Sequence, residues 1–370
     1  MKITIVAGAR PNFMKIAPII KVIESKRKYG YNINYRLVHT GQHYDKKMSE
    51  DFFEQLGIPK PDSNLEAGGG SQAEQTAAIM VRFEKELIGN ISDLVLVVGD
   101  VTSTMACAIV AQKLKIPVGH VEAGIRSNDW TMPEEINRLL TDSITNYFFT
   151  TSRYANENLK KLGIENHRIF FVGNTMIDTL LEQKSNFKKP PIWNTKNLEK
   201  DGYAVMTLHR PSNVDDEVQL KILIETICSS SNNLPVIFPV HPRTKIMLEK
   251  AGVDCSNLFV IDPLPYLEFN YLVENSKVVI TDSGGITEET TVLGIPCMTL
   301  RNNTERPETC EIGTNVLIGS DPKLIPLAFK KLFDGQWKKG IIPELWDGRA
   351  SERIVSGIMD IFKVEQESSK

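Results

Sequence analysis

Short runs of aliphatic and β-branched residues recur along the chain, each followed by a longer segment of helical character. The runs predict strands over 3–6, 33–38, 94–98, 118–121, 147–150 and 169–172 in the first half. In the second half they predict strands over 203–208, 236–240, 258–261, 278–281, 297–300 and 316–318. Strands that alternate with helices predict parallel sheets with helices on both faces, an α/β fold. Two such sets predict two Rossmann-like domains, 1–182 and 183–370. The stretch 183–201 is polar, rich in lysine and broken by Pro190-Pro191, so it reads as the linker region. Beyond Arg349, the apolar residues of Arg353-Ile354-Val355 and Ile358-Met359 return at helical spacing. They predict a final amphipathic helix, about 350–366, whose packing partner is left open between its own domain and the first. The last residues, 365–370, read as a frayed end.

A chain of 370 residues suits two domains of about 150–200 residues each. Hydrophobic residues at 41% and charged residues at 24% are ordinary for a globular protein. A net charge of −3 gives no support for binding nucleic acid or a membrane surface. Cys107, Cys228, Cys255, Cys297 and Cys310 are scattered and include no C-x-x-C pair. They read as free thiols in a reducing cytoplasm rather than as disulfides or a zinc site. The opening run Met1-Lys2-Ile3-Thr4-Ile5-Val6 is too short for a signal peptide and reads as a strand. No apolar run reaches the roughly 18 residues that span a bilayer.

Ligands of open parallel sheets bind beyond the carboxyl ends of the strands, so the residues just after each strand carry the chemistry. The first strand is followed by Ala7-Gly8-Ala9-Arg10-Pro11-Asn12-Phe13-Met14-Lys15. This is not G-x-G-x-x-G, which disfavours a bound dinucleotide. It places cations at a helix start, where the dipole opposes them unless an anion stands beside them. Asp100 ends the Gly99-Asp100 pair, and Glu122 lies in His120-Val121-Glu122-Ala123-Gly124, one βαβ crossover later. Both carboxylates are expected at one sheet edge. Met132-Pro133-Glu134-Glu135-Ile136-Asn137-Arg138 reads as a helix start with proline near its first position and acids in its first turn. Each acid has a structural alternative as a cap or a dipole partner. Three beside one cleft suit acid/base work, and mutual repulsion with burial is expected to raise at least one pKa.

In the second half, Thr281-Asp282-Ser283-Gly284-Gly285-Ile286-Thr287-Glu288-Glu289 links a strand to a helix start. Free backbone N–H groups, the helix dipole and the absence of Cβ atoms make this turn a candidate phosphate site; the alternative is an ordinary βα turn. His209-Arg210-Pro211-Ser212-Asn213 and His241-Pro242-Arg243 follow neighbouring strands. Thr304-Glu305-Arg306-Pro307-Glu308 adds another charged loop. Phe269, in the helical segment Tyr266-Leu267-Glu268-Phe269, reads as core from its pattern alone. His39-Thr40-Gly41-Gln42-His43-Tyr44 follows the second strand with no role that spacing assigns. The chain contains no H-E-x-x-H, G-x-x-x-x-G-K-[ST] or G-x-S-x-G motif.

Together these segments resemble the non-hydrolysing UDP-N-acetylglucosamine 2-epimerase family. The matches are Gly8-Ala9-Arg10-Pro11 with Lys15, Gly99-Asp100, Val121-Glu122-Ala123-Gly124-Ile125-Arg126-Ser127 and Met132 to Arg138. They continue with Thr207-Leu208-His209-Arg210, Thr281 to Gly285 with Glu288-Glu289, and Thr304 to Glu308, in the family's order over nearly the whole chain. The resemblance implies the GT-B architecture, two Rossmann-like domains facing a central cleft. It implies interconversion of UDP-GlcNAc and UDP-ManNAc without NAD or metal, and a homodimer. It assigns catalysis to Lys15, Asp100, Glu122, Glu134 and His209. Arg10, Ser283, Gly284 and Gly285 correspond to diphosphate contacts and Glu289 to a ribose ligand. Leu264 and Phe269 correspond to positions beside the uracil, which replaces the core reading of Phe269.

Three departures bear on substrate. Ser212 stands where the family usually has an acid, Thr287 where glutamine is usual, and the stretch from Glu122 to Glu134 is shorter than in many bacterial members. The short spacing and Thr40-Gly41-Gln42-His43-Tyr44-Asp45 also resemble a branch acting on UDP-2,3-diacetamido sugars. A glycosyltransferase of the same architecture, a hydrolysing relative and a non-catalytic nucleotide-sugar sensor remain alternatives at this point.

Overall fold

Among the described residues, every strand pairs in parallel with its neighbours, in two separate sheets. A computed structural model describes residues 1–41 and 57–364, the Arg10 side chain excepted. The chain divides into unit 1, residues 1–182 with 344–370, and unit 2, residues 183–343.

Unit 1 contains β1 (Lys2–Ala7), β2 (Asn34–His39), β3 (Ser63–Asn64), β4 (Leu94–Val98), β5 (Val118–Val121), β6 (Tyr147–Thr150) and β7 (Ile169–Phe171), in the order β3-β2-β1-β4-β5-β6-β7. All five residues of β4 are buried, as a central parallel strand covered on both faces requires. Unit 2 contains β8 (Ala204–Thr207), β9 (Val236–Pro239), β10 (Leu258–Ile261), β11 (Val278–Thr281), β12 (Cys297–Thr299) and β13 (Asn315–Leu317), in the order β10-β9-β8-β11-β12-β13. This is the pair of Rossmann-like α/β units that the alternation of strands and helices predicts. The strand with no sequence signal is β3. It is two polar residues long and extends the edge of the sheet by pairing with Val38 and His39. Periodicity needs a longer stretch to register.

The segment read as a linker is instead the start of unit 2. Pro191 opens a short helix, Pro191–Thr195. Trp193 packs edge-on against Tyr203 and Tyr271, and Leu198 is buried in the same apolar cluster. The polar composition of the stretch hid these few apolar anchors. Of the motif after β2, Gln42, His43, Tyr44 and Asp45 lie outside the described residues, as does the end read as frayed, 365–370.

The final helix, Ala350–Phe362, belongs to unit 1. Asp178 holds its first turn by accepting the backbone N–H groups of Ala350 at 3.0 Å and Ser351 at 2.7 Å and the Ser351 hydroxyl at 2.6 Å. Just before the helix, the Trp346 indole donates to the Thr151 carbonyl at 2.9 Å, within the same unit. Among the described residues no helix is long and apolar enough to cross a membrane.

Asp178→Ala removes a buried cap from this helix. Loss of such a cap costs about 1–2 kcal/mol. The unfolding midpoint is expected to fall by roughly 2–8 °C in calorimetry. A midpoint unchanged within error would show that the carboxylate does not anchor the helix.

Candidate active site

In a doubly wound parallel sheet the connections diverge between two central strands and leave a crevice at their carboxyl ends. Those strands are β1 and β4 in unit 1, and β8 and β11 in unit 2. Most of the residues singled out in the sequence follow these strands or their neighbours.

In unit 1, Asn12 organises the turn after β1. Its Oδ1 accepts the backbone N–H groups of Gly8 at 3.2 Å and Ala9 at 3.0 Å, and its Nδ2 donates to the Val98 carbonyl at 3.0 Å. The turn after β1 is thereby fastened to the end of β4. Lys15 Nζ lies 2.6 Å from Glu122 Oε2, and both side chains are almost wholly shielded from water. The helix Arg10–Lys28 has no acid in its own first turn, so Glu122, from the end of β5, supplies the anion that the lysine needs there. Gly99 has φ +70°, and a Cβ at this position would lie 3.2 Å from Lys15 Nζ and 3.8 Å from Glu122 Oε2. The glycine therefore leaves room for the ion pair. Glu122 also has φ +70°, an uncommon conformation for a glutamate and one that recurs at functional positions.

Asp100 is partly exposed, and its Oδ2 lies 2.5 Å from Arg138 Nη2. Arg138 Nη1 reaches Glu135 at 2.8 Å, and the Asn137 amide donates to the Asp100 carbonyl at 2.9 Å. Both residues come from the helix Pro133–Ile144. Of the two acids that open that helix, buried Glu135 accepts the backbone N–H groups of Ser127 at 2.9 Å and Asn128 at 3.1 Å, which makes it a fastener for the preceding loop. Glu134 is only half-buried, and no described contact joins it to Asp100 or Glu122. The structure thus brings Asp100 and Glu122 to neighbouring strand ends and leaves Glu134 in the adjoining helix turn. The expected crowding of carboxylates is replaced by pairing, because Asp100 and Glu122 each face a cation.

In unit 2, Asp282 is fully buried after β11 and serves as the shared acceptor for the loop after β8. It accepts the backbone N–H of Arg210 at 2.9 Å and the Asn213 amide at 3.0 Å, and it lies 2.7 Å from His209 Nδ1. Burial alone would push the Asp282 carboxyl up, but His209, Asn213 and the Arg210 N–H hold it below the usual carboxylate range. The His209 side chain remains largely exposed at 60%. Next to Asp282, Ser283 precedes the helix Gly284–Leu293. Its hydroxyl does not cap that helix, and the first turn contains no acid. A Cβ on Gly285 would meet nothing within 4 Å, whereas one on Gly284 would lie 3.8 Å from Glu305 Oε2 and 4.0 Å from Arg301 Nη1. An uncapped helix start of this kind favours an anion.

Further along that helix, Glu289 is buried, and burial pushes its carboxyl up to about 7 although the Tyr266 hydroxyl donates to it at 3.0 Å. Buried Glu288 pairs with Arg306 Nε. Leu264 and Phe269 are half-buried against the same apolar cluster as Ile286 of the helix start. Arg10 heads its helix, and its side chain lies outside the described residues. Sequence reasoning missed Asn12, Asn137, Arg138 and Asp282 as organisers. The available signal was a polar residue beside a glycine turn or on the buried face of a helix, but its partners are far away in sequence.

Residues 26–359 match the family described as UDP-N-acetylglucosamine 2-epimerase. The chain is 40% identical over 368 residues to the UDP-N-acetylglucosamine 2-epimerase of Methanocaldococcus jannaschii, covering 96% of this chain and 98% of that one. It is also 40% identical over 328 residues to the UDP-2,3-diacetamido-2,3-dideoxy-D-glucuronate 2-epimerase of Pseudomonas aeruginosa, covering 88% and 90%. The crystal structure of the M. jannaschii enzyme in complex with UDP-GlcNAc and UDP is similar with a TM-score of 0.86, over 97% of this chain and 100% of that one.

Glu308 provides a test of unit 2's electrostatics. Burial pushes its carboxyl up to about 7 from an ordinary 4.5. The unfolded chain ionises this group first, so it costs nothing at low pH and destabilises the fold increasingly as pH rises through that interval. Glu308→Gln is expected to raise the unfolding midpoint at about pH 8, by the equivalent of on the order of 2 kcal/mol, and much less at about pH 5. An equal effect at the two pH values would contradict the assignment.

Proposed function

Because the chain belongs to the UDP-N-acetylglucosamine 2-epimerase family, a family of isomerases, we propose that it interconverts UDP-GlcNAc and UDP-ManNAc at C2. The route is anti elimination of UDP followed by syn re-addition through a 2-acetamidoglucal. The observation that carries this reading is the pair of acids Asp100 and Glu122, held at neighbouring strand ends opposite Arg138 and Lys15.

The chemistry explains why acids and anion-binding groups are both needed. The C2 hydrogen of an N-acetylhexosamine is not next to a carbonyl, so its removal alone is very unfavourable. If the C1–O bond breaks with it, the C2–H electron pair becomes the C1=C2 bond and UDP leaves with the C1–O pair. In the return step a UDP oxygen attacks C1 and a proton is delivered to the opposite face of C2. Electrons and atoms balance without an oxidant. Proton removal and return on two faces call for more than one acid/base group. Asp100 takes the proton, and Glu122 and Glu134 serve its return and the positioning of the sugar. Lys15 and His209 supply positive charge as UDP departs. Arg10, Ser283, Gly284 and Gly285 hold the diphosphate, Glu289 the ribose, and Leu264 and Phe269 flank the uracil. The helix start at Gly284, which the Ser283 side chain does not cap and which has no acid in its own first turn, supports the diphosphate assignment. The product would feed cell-surface polysaccharide in a reducing cytoplasm, where the five cysteines, all free, would be at home.

The similarity to the P. aeruginosa relative favours a second reading, a UDP-2,3-diacetamido sugar as substrate. A substrate panel separates the two. Rapid formation of a manno isomer from UDP-GlcNAc supports the first; turnover of the diacetamido sugar alone moves the assignment to the second. On whichever substrate turns over, Asp100→Asn is expected to reduce kcat by at least about 10³-fold, with UDP affinity kept within about twofold. Wild-type rates in this variant would remove Asp100 from the mechanism.

The proposed homodimer has a candidate surface in unit 1. Val81, Ile136 and Leu140 are exposed apolar side chains on Gln72–Gly89 and Pro133–Ile144, helices that each pack against Thr102–Lys113. Light scattering is expected to give about twice the chain mass of 41.6 kDa for the wild type and a monomer for Ile136→Glu combined with Leu140→Glu. A variant that remains dimeric would place the contact elsewhere.

A further inference from the structure

His120, the third residue of β5, is fully buried and has no part in the chemistry described above. Its Nε2 lies 2.8 Å from the Gly99 carbonyl, and its Nδ1 lies 2.8 Å from Asp142 Oδ1. A carbonyl oxygen can only accept, so Nε2 carries a hydrogen. Asp142 Oδ2 accepts the Gly124 N–H at 3.1 Å and lies 2.7 Å from Arg126 Nη2. Burial alone would push the Asp142 carboxyl up, but His120 and Arg126 hold it below the usual range. With the Gly124 N–H and the Arg126 guanidinium both on Oδ2, Asp142 is a carboxylate that accepts only, so Nδ1 carries a hydrogen as well. A neutral imidazole has one ring N–H and would turn a bare lone pair toward one of two buried acceptors.

We propose that His120 is a positioning residue held as an imidazolium, which clamps the Gly99 carbonyl to the Asp142–Arg126 pair and thereby fixes the two turns that carry Asp100 and Glu122. One ring reaches both turns. Gly99 directly precedes Asp100, and its N–H donates at 3.0 Å to Val121, the residue before Glu122. Gly124, just beyond Glu122, donates to the carboxylate that holds the ring. Rotation of Gly99 away from φ +70° would displace the Asp100 carboxylate, and a misplacement of about 1 Å can cost roughly 10²-fold in rate.

The consequence for rate rests on the epimerase reading; the protonation state does not. Long-range proton–nitrogen spectra of histidine-labelled protein near pH 7, with His120→Gln as the assignment variant, are expected to show both His120 ring nitrogens protonated. His120→Gln keeps an N–H donor for Gly99 and removes the charge. Its kcat is expected to fall about 10- to 100-fold with KM within about twofold and UDP affinity unchanged. A neutral ring near pH 7, wild-type kcat in the variant, or a loss of kcat explained by the unfolded fraction alone would each overturn the proposal. If the wild type exchanges no C2 proton, the epimerase reading fails, and the ring spectrum still decides whether His120 is the imidazolium.

Discussion

Parallel strand pairing is the constraint from which the rest follows. It gathers the carboxyl ends of all strands in a sheet along one edge, so residues far apart in sequence become neighbours there. Lys15 follows β1 and Glu122 follows β5, yet their charged atoms are 2.6 Å apart. His209 follows β8 and Asp282 follows β11, and they meet at 2.7 Å. The same geometry faces N–H groups outward at the helix start after β11, where the Ser283 side chain makes no cap and the helix has no acid in its own first turn. Each unit thus builds its own constellation, carboxylates paired with cations in unit 1 and an anion-favouring turn in unit 2.

Glu122, Asp100 and Asp282 each stand against a basic side chain, Lys15, Arg138 and His209. Buried ion pairs contribute little net stability, because desolvation offsets most of their attraction, but removing one partner leaves a buried charge and costs about 3–5 kcal/mol. Pairs such as Lys15–Glu122 and Arg138–Asp100 are therefore better understood as positional devices. The glycine at position 99 and the left-handed backbone of Glu122 belong to the same arrangement. Packing holds an otherwise uncommon geometry where the proposed chemistry needs it. Asp282 does the corresponding work in unit 2, accepting from the loop after β8 just before the helix start at Gly284.

Much of this was legible from sequence because parallel sheets write strongly. Apolar runs such as 94–98 and 118–121 mark strands, and the residues after them gather along one sheet edge. The placement of Asp100 and Glu122 at one sheet edge is legible because they follow directly on paired strands. What escaped has a common physical cause. Two polar residues are too few to show a period, which hid β3. A handful of apolar anchors in a polar stretch hid the start of unit 2 around Trp193. Arg138, Asn137, Asp142 and His120 act through partners contributed by other elements, and spacing along one chain cannot supply those distances. The pairing of Asp100 and Glu122 with cations, rather than with each other, is knowledge of the same three-dimensional kind.

The central claim is that a proton leaves C2 and returns from groups of the protein that exchange with water. Incubation with UDP-GlcNAc in deuterium oxide, with C2 followed by proton NMR, tests it directly. The account predicts that the manno isomer forms with deuterium at C2, and that deuterium also appears at C2 of recovered UDP-GlcNAc as the reaction reverses. Conversion to the manno isomer with the original hydrogen retained at C2 would contradict it.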